Sequence, residues 1–412
     1  MTTPDGGPEV AAAAGRTDRH DARMSAALTA LIDGTHLATP DELPVVVAEA
    51  GRHLGLDVAV YLVTLDQREL VPFTAGADEP TMPVDAPGSA AGRAFREITA
   101  TEDASGLWLP LLDGVERIGV LRFRAAGPTD FLRADRLRSF DLLVGHLVAV
   151  VTPYGDTVSR LRGAMGRTVE AELLWNLVPP LTYATRNLVI SGLLEPCEQV
   201  AGDVFDYAVD ETMARIAIFD GSGHNLDSGL LTSVALATYR NGRRRGDTLV
   251  ATAAAIDQVL LEHTDGAGYA TGILAELDTE TGHLRYVNAG HPRPILLREG
   301  RFVETLDGPG RPLFGLGDSS ITVGEQRLQP GDKVVLYTDG ITEARAEDGS
   351  FFGLDRLIGI LERCSTDGTP ASETVRLTVQ DVLRHQRDVL QDDATMVLVE
   401  WGATSAGRLN PE

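Results

Sequence analysis

Four short aspartate-bearing stretches hold the chemistry this sequence is able to do. They are EQVAGDVFDY with Asp203 and Asp206, IFDGSGHN with Asp220, LYTDGITEA with Asp339, and QDDATMVLVE with Asp392 and Asp393. Asp220 and Asp339 each follow a β-rich apolar run, and the Asp392–Asp393 pair directly precedes one. If those strands come together, their ends project several carboxylates into one small volume. Carboxylates so gathered repel one another and take up protons unless cations neutralise them. Oxygen donors select hard ions, here Mg²⁺ or Mn²⁺. Gly202, Gly221 and Gly340 stand beside the aspartates, where a missing Cβ lets the backbone turn sharply and approach a ligand, and a glycine carbonyl can itself coordinate metal. Taken singly, Asp-Gly is an ordinary turn dipeptide. Four such stretches in order, each abutting a strand, favour a site.

Such a set needs short strands around it, and the chain from Leu181 onward is patterned that way. GILAELDTETGHLRYVNAG predicts a hairpin across DTETG, GDKVVLYTDGIT a strand entering a loop, and ATMVLVEW a final strand. NLDSGLLTSVALATYRNGRRRG and DTLVATAAAIDQVLLEHT predict helices, each capped by Asn or Asp, with two more near GLDRLIGILERC and ASETVRLTVQDVLRHQ. Strand and helix do not alternate regularly. An α+β domain rich in antiparallel pairs is therefore expected over residues 181–402, followed by a tail at 403–412.

Ahead of it, residues 25–152 predict helix, hairpin, helix, hairpin, helix, with turns at DQRE and DGVE. Residues 1–24 lack both an apolar core of signal-peptide length and a basic start, and are expected to be a disordered leader. Pro153 and Gly155 break the helical pattern, after which Val158, Leu161, Met165, Val169, Leu173 and Leu177 line one face. That stripe predicts a helical linker, 153–180, ending before Pro179 and Pro180 and suited to pairing with a second copy or with the following domain. A helix packed only on its own domain is the alternative.

Composition narrows the partners. Over 412 residues the formal net charge is −24, which repels nucleic acid and anionic membrane surfaces. A hydrophobic fraction of 43% supports two cores. Cys197 and Cys364, the two cysteines, are too few for a disulfide framework, and a reducing cytoplasm is expected. No apolar run approaches the roughly 20 residues a bilayer-spanning helix needs.

Two resemblances rest on these motifs. LDVAVYLV, GSAAGRAFREITATED and WLPLLDGVERIGVLRF resemble the strands, helix and last hairpin of a GAF domain, a sensor module. It holds no cysteine, which excludes a thioether-linked bilin, and His53 and His146 are expected to be surface or packing residues. Leu173–Trp401 resembles the SpoIIE-type, RsbU-like branch of the PPM metal-dependent serine/threonine protein phosphatases. LLWNLVPP is similar to that family's LLP, VAGDVFD to VGGDFYD and DGSGHN to DVSGHG, while NAGHP, YTDGITEA and DDATMVLV match its later motifs in order.

The second resemblance implies a β-sandwich of two antiparallel sheets flanked by helices, with a binuclear Mn²⁺ or Mg²⁺ centre at the sheet ends. Carried over by motif, Asp220 bridges both metals and Gly221 adds its carbonyl. Asp203 serves one metal, and Asp339 and Asp392 the other. Asp206 and Asp393 stand behind these ligands and orient them, and His224 and His291 brace turns rather than act as the general acid. The reaction implied is direct attack of a metal-activated water on a phosphoserine or phosphothreonine phosphorus. The implied substrate is a phosphorylated anti-sigma-factor antagonist, with the N-terminal domain regulating through the linker and a homodimer formed along it.

Ala201 and Asn225 depart from the family pattern, each replacing a glycine. No arginine stands out to grip the substrate phosphate, and Arg240 to Arg245 are expected to form a solvated helix end. A non-catalytic signalling scaffold that binds a phosphorylated partner is the rival reading. An aspartyl-phosphate hydrolase, suggested by FDGSG, lacks its second aspartate because Ser222 occupies that place.

Overall fold

β-branched runs separated by polar turns form the hairpins their alternation predicts, and helices cover the sheets they make. The computed structural model describes residues 8–74, 79–127, 129–163, 169–197, 202–223, 226–264, 268–308, 310–318 and 320–402. They fall into two units divided at residue 165.

The N-terminal unit comprises α1 (Pro8–Thr35), α2 (Leu43–Leu54), β1 (Leu56–Val63), β2 (Glu69–Phe73), β3 (Met82–Pro83), α3 (Ala90–Glu97), β4 (Thr101–Asp103), β5 (Gly106–Asp113), β6 (Glu116–Ala125), α4 (Ala134–Val151) and α5 (Thr157–Arg162). Its six strands form one antiparallel sheet in the order β3-β2-β1-β6-β5-β4. One sheet face packs on α1, α2, α4 and α5 through Leu31, Val47, Phe140, Val144 and Val158. The other packs on α3 through Ala94 and Phe95, against Tyr61, Trp108 and Val120.

Two expectations for this half are corrected. The predicted leader is helical from Pro8, because Ala27 and Leu31 are buried and His20 meets Phe131 edge-on while pairing with Asp130. Tertiary contacts stabilise a helix whose own apolar periodicity is weak. The linker stripe is also divided. Val158 is buried in the N-terminal core, Leu177 packs against a C-terminal core, and Val169 is exposed; Met165 lies outside the described residues. The stripe does not lie on one helix: α5 ends at Arg162, Gly163 is extended, and α6 begins at Val169.

The C-terminal unit comprises α6 (Val169–Leu177), β7 (Thr182–Ala184), β8 (Leu188–Glu195), β9 (Asp203–Asp210), β10 (Met213–Gly221), α7 (Leu226–Arg245), α8 (Leu249–Thr264), β11 (Ala270–Asp278), β12 (His283–Ala289), β13 (Ile295–Arg298), β14 (Arg301–Thr305), β15 (Gly324–Arg327), β16 (Lys333–Tyr337), α9 (Asp339–Thr342), α10 (Leu354–Thr366), α11 (Ala371–His385) and β17 (Ala394–Trp401). Two antiparallel sheets, β15-β12-β11-β10-β9 and β14-β13-β16-β17-β8-β7, face each other. Between them lie Phe205, Ile216, Ile218, Ile273, Leu336 and Val397. α7 and α8 cover the first sheet through Ala235, Leu236, Ile256 and Leu260, and α11 packs on β8 and β17. Among the described residues no helix is long and apolar enough to cross a membrane.

Candidate metal centre

β9 and β10 pair antiparallel with Asp203 directly opposite Asp220, and β11 sets Thr271 opposite Asp220 from the other side. Side chains alternate along a strand. Asp203 therefore shares its face with Phe205 and Tyr207, and Asp220 with Ile218 and Ile216, all in the core between the sheets. Both carboxylates thus point inward at one end of the sandwich.

The second sheet brings its acids to the same end. β16 runs out into Thr338 and Asp339, beside the start of β17, where Asp392 and Asp393 lie; the Thr338 N–H donates to the Thr395 carbonyl at 3.0 Å. The Thr338 hydroxyl crosses between sheets and donates to Asp203 Oδ2 at 2.7 Å. The Asp393 carboxylate accepts backbone N–H bonds from Cys197 and Gly202 at 2.7 Å and from Asp203 at 3.1 Å. Gly340 allows this closeness, since a Cβ there would overlap the Asp393 carbonyl oxygen. The glycines beside the aspartates thus admit neighbouring protein groups: a Cβ on Gly202 would strike the Ser228 hydroxyl.

Electrostatics register the gathering. Burial, then the charges of Asp220 and Asp393, hold the Asp203 carboxyl well above the usual carboxylate range. Burial, then Asp339, Asp392 and Asp393, raise Asp220. Burial also raises Asp392, with Asp339 adding to it. Among the described residues no three carboxylate or imidazole groups stand close enough to enclose a cation as they are. The donor chemistry nevertheless fits a divalent ion: the donors are all oxygen, and their mutual repulsion is what a cation relieves. The Gly221 carbonyl accepts a bond from Ser228 Oγ at 2.8 Å and retains a second lone pair.

The residues expected behind the ligands divide. Asp393 braces the Asp203 backbone as described. Asp206 does not join it. Three positions along β9 from Asp203, it faces the opposite side of the sheet and accepts from Arg240 and Arg243 of α7, each at 2.8 Å. Those arginines are accordingly half-buried ion-pair partners rather than a solvated helix end; Arg244 and Arg245 are exposed. His291 is buried, with Nδ1 on the Thr271 hydroxyl at 2.7 Å and its backbone N–H on Asn288 Oδ1 at 2.9 Å. Thr271 Oγ1 stands 3.5 Å from Asp220 Oδ2. Burial lowers the His291 imidazole to about 3, so it is neutral at ordinary pH. His224 and Asn225 lie outside the described residues. Thr271, Thr338 and Ser228 escaped the sequence reading, because a hydroxyl gains meaning only from its register against an acid.

Residues 210–402 match the family model described as Stage II sporulation protein E (SpoIIE). Over those residues the chain is similar to SpoIIE-family domains. The chain is similar to Protein IcfG of Synechocystis sp., 27% identical over 274 residues that cover 59% of this chain and 42% of that protein. It is also similar to Phosphoserine phosphatase RsbU of Bacillus subtilis, 25% identical over 280 residues, 65% of this chain and 81% of RsbU. The chain thus spans less than half of IcfG. Among solved structures, the RsbU and RsbW domains of Rv1364c from Mycobacterium tuberculosis superpose with a TM-score of 0.45 at 24% identity, covering 53% of this chain and 62% of that one. Asp220, Asp339, Asp392, Asp393 and His291 lie within the SpoIIE-type match, whereas Asp203 and Asp206 precede it.

Proposed function

We propose that this chain is a metal-dependent phosphoprotein phosphatase of the cytoplasm, hydrolysing phosphoserine or phosphothreonine in a phosphorylated anti-sigma-factor antagonist. The observation that carries the reading is the pairing of Asp203 with Asp220 at the end where Asp339 and Asp392 of the facing sheet also arrive. Asp220 and the Gly221 carbonyl would hold two Mn²⁺ or Mg²⁺ ions jointly, Asp203 one of them, and Asp339 and Asp392 the other. When bound, such a pair supplies an acidified water and neutralises charge on the phosphoryl oxygens. Thr338 and Thr271 fix the rotamers of Asp203 and Asp220, and Asp393 fixes the backbone that carries Asp203.

The N-terminal unit, with its antiparallel sheet helix-covered on both faces, serves in this proposal as a GAF-like sensor acting through residues 153–180, with homodimerisation along the same segment. α6 supports that route, since its Leu177 carbonyl accepts from Arg240 of α7 at 2.6 Å, while Ser228 in the first turn of α7 holds the Gly221 carbonyl. The decisive experiment is hydrolysis of a chromogenic phosphomonoester with Mn²⁺ or Mg²⁺, comparing the native chain with Asp220→Asn. Turnover that needs no metal, or that survives the substitution, overturns the mechanism. A chain that binds the phosphoprotein without releasing phosphate is instead a scaffold.

A further inference from the structure

The α3 face of the N-terminal sheet buries a guanidinium among apolar side chains. Arg122 of β6 is 8% exposed, and its charged end lies 5.8 Å from the ring centres of both Tyr61 and Trp108. A guanidinium taken out of water needs an anion close by. Glu79 supplies it from the segment between β2 and β3: Nη1 donates to Oε2 at 2.9 Å and Nη2 to Oε1 at 2.6 Å. The Tyr61 hydroxyl donates to the same Oε2 at 2.6 Å and accepts from Nη1 at 3.2 Å. One carboxylate thus meets three donors beside two aromatic rings, while Arg122 Nε, also buried, has no hydrogen-bond partner among the described residues.

The manner of delivery sets this pair apart from an ordinary structural ion pair. Glu79 belongs to no helix or strand, and its side chain remains 23% exposed. The receptor half, by contrast, sits on two central strands, with Tyr61 and Arg122 on neighbouring β1 and β6. A rigid, buried fork is therefore met by a carboxylate that enters from the surface. Hydrogen bonds from Arg122 and then from Tyr61 hold Glu79 ionised, lowering its pKa to about 2, so the receptor takes the anion and not the acid.

We infer that Arg122 and Tyr61 form a binding site for a small organic carboxylate, which competes with Glu79 as the internal occupant. The competition reduces the apparent affinity of the native chain by the fraction of time that Glu79 is seated. The site stands whether or not the C-terminal domain is a phosphatase.

The test is direct binding to the full chain, with benzoate and acetate as probes and chloride at equal ionic strength as reference, read by titration calorimetry and unfolding temperature. Glu79→Ala should bind benzoate about tenfold or more tightly than the native chain, and carboxylate should raise its unfolding temperature more than chloride does. Adding Tyr61→Phe removes one donor and should weaken that affinity by about threefold to tenfold. If Glu79→Ala does not fold, Glu79→Gln, which keeps the volume without the charge, is titrated the same way. If neither folds, native-chain titration decides, and an absence of carboxylate-specific heat overturns the proposal. Equal affinity in native and Glu79 variants, or chloride acting as well as benzoate, also overturns it.

Discussion

Asp203 and Asp220 are register partners across β9 and β10, and the Thr338 hydroxyl of the facing sheet holds Asp203 at 2.7 Å. Two inward carboxylates at one strand end destabilise the fold until a cation joins them. Asp220→Asn should therefore abolish metal-dependent hydrolysis while raising stability in chelator by about 1 kcal/mol, the order of one unit of pKa shift. Phosphoester turnover and thermal unfolding in chelator check both. A variant that is equally active, or less stable without metal, contradicts the arrangement.

Asp393 gathers three backbone N–H groups, from Cys197, Gly202 and Asp203. Asp393→Asn turns an amide donor toward at least one of them. The expected loss is about 3 kcal/mol of stability, with weakened metal affinity because Asp203 loses its support. Urea unfolding and Mn²⁺ titration measure the two effects separately.

Asp206 pairs with Arg240 and Arg243 on the helix side of the sheet. Asp206→Ala should cost about 3 kcal/mol of stability by stranding two half-buried guanidinium groups. It should leave the apparent Mn²⁺ affinity within about threefold of native, where loss of a residue supporting the metal ligands costs about tenfold or more. The larger drop would return Asp206 to the metal site.

Burial keeps His291 neutral, with a pKa of about 3. It cannot donate a proton as imidazolium near neutrality, so the pH–rate profile should show no limb near about pH 6.5 that His291→Gln removes. The variant should retain activity within about tenfold, because the Thr271 hydroxyl still faces Asp220. Loss of such a limb in the variant would restore His291 as the general acid.

Asp141 of α4 is 3% exposed, its Oδ1 has no hydrogen-bond partner among the described residues, and burial holds its carboxyl well above the usual range. The folded chain therefore keeps the acid protonated after the unfolded chain has released its proton, at about pH 4. Its contribution is fully present below that pH and is lost as pH rises towards the folded pKa. Asp141→Asn should gain at least about 1 kcal/mol on the native chain between about pH 5 and pH 8. A constant difference across that range contradicts an uncompensated buried carboxyl.

The strands that end on Asp220 and Asp339, the strand that follows Asp393, and both N-terminal hairpins are legible in the amino-acid order alone, because alternation and turn chemistry are local properties. The acidic set is legible there as a class too, since oxygen donors beside glycine at strand ends are visible in one dimension. Which side of the sheet each acid faces follows from its register in the folded chain. Asp203 and Asp206 look equivalent in GDVFDY, yet three steps along a strand turn one inward to Asp220 and the other outward to Arg240 and Arg243. Tertiary contact likewise made α1 a helix and assigned Val158 and Leu177 to separate cores. Partners more than a hundred residues apart, such as Thr338 with Asp203, leave no periodic trace; the folded register alone brings them within a hydrogen bond.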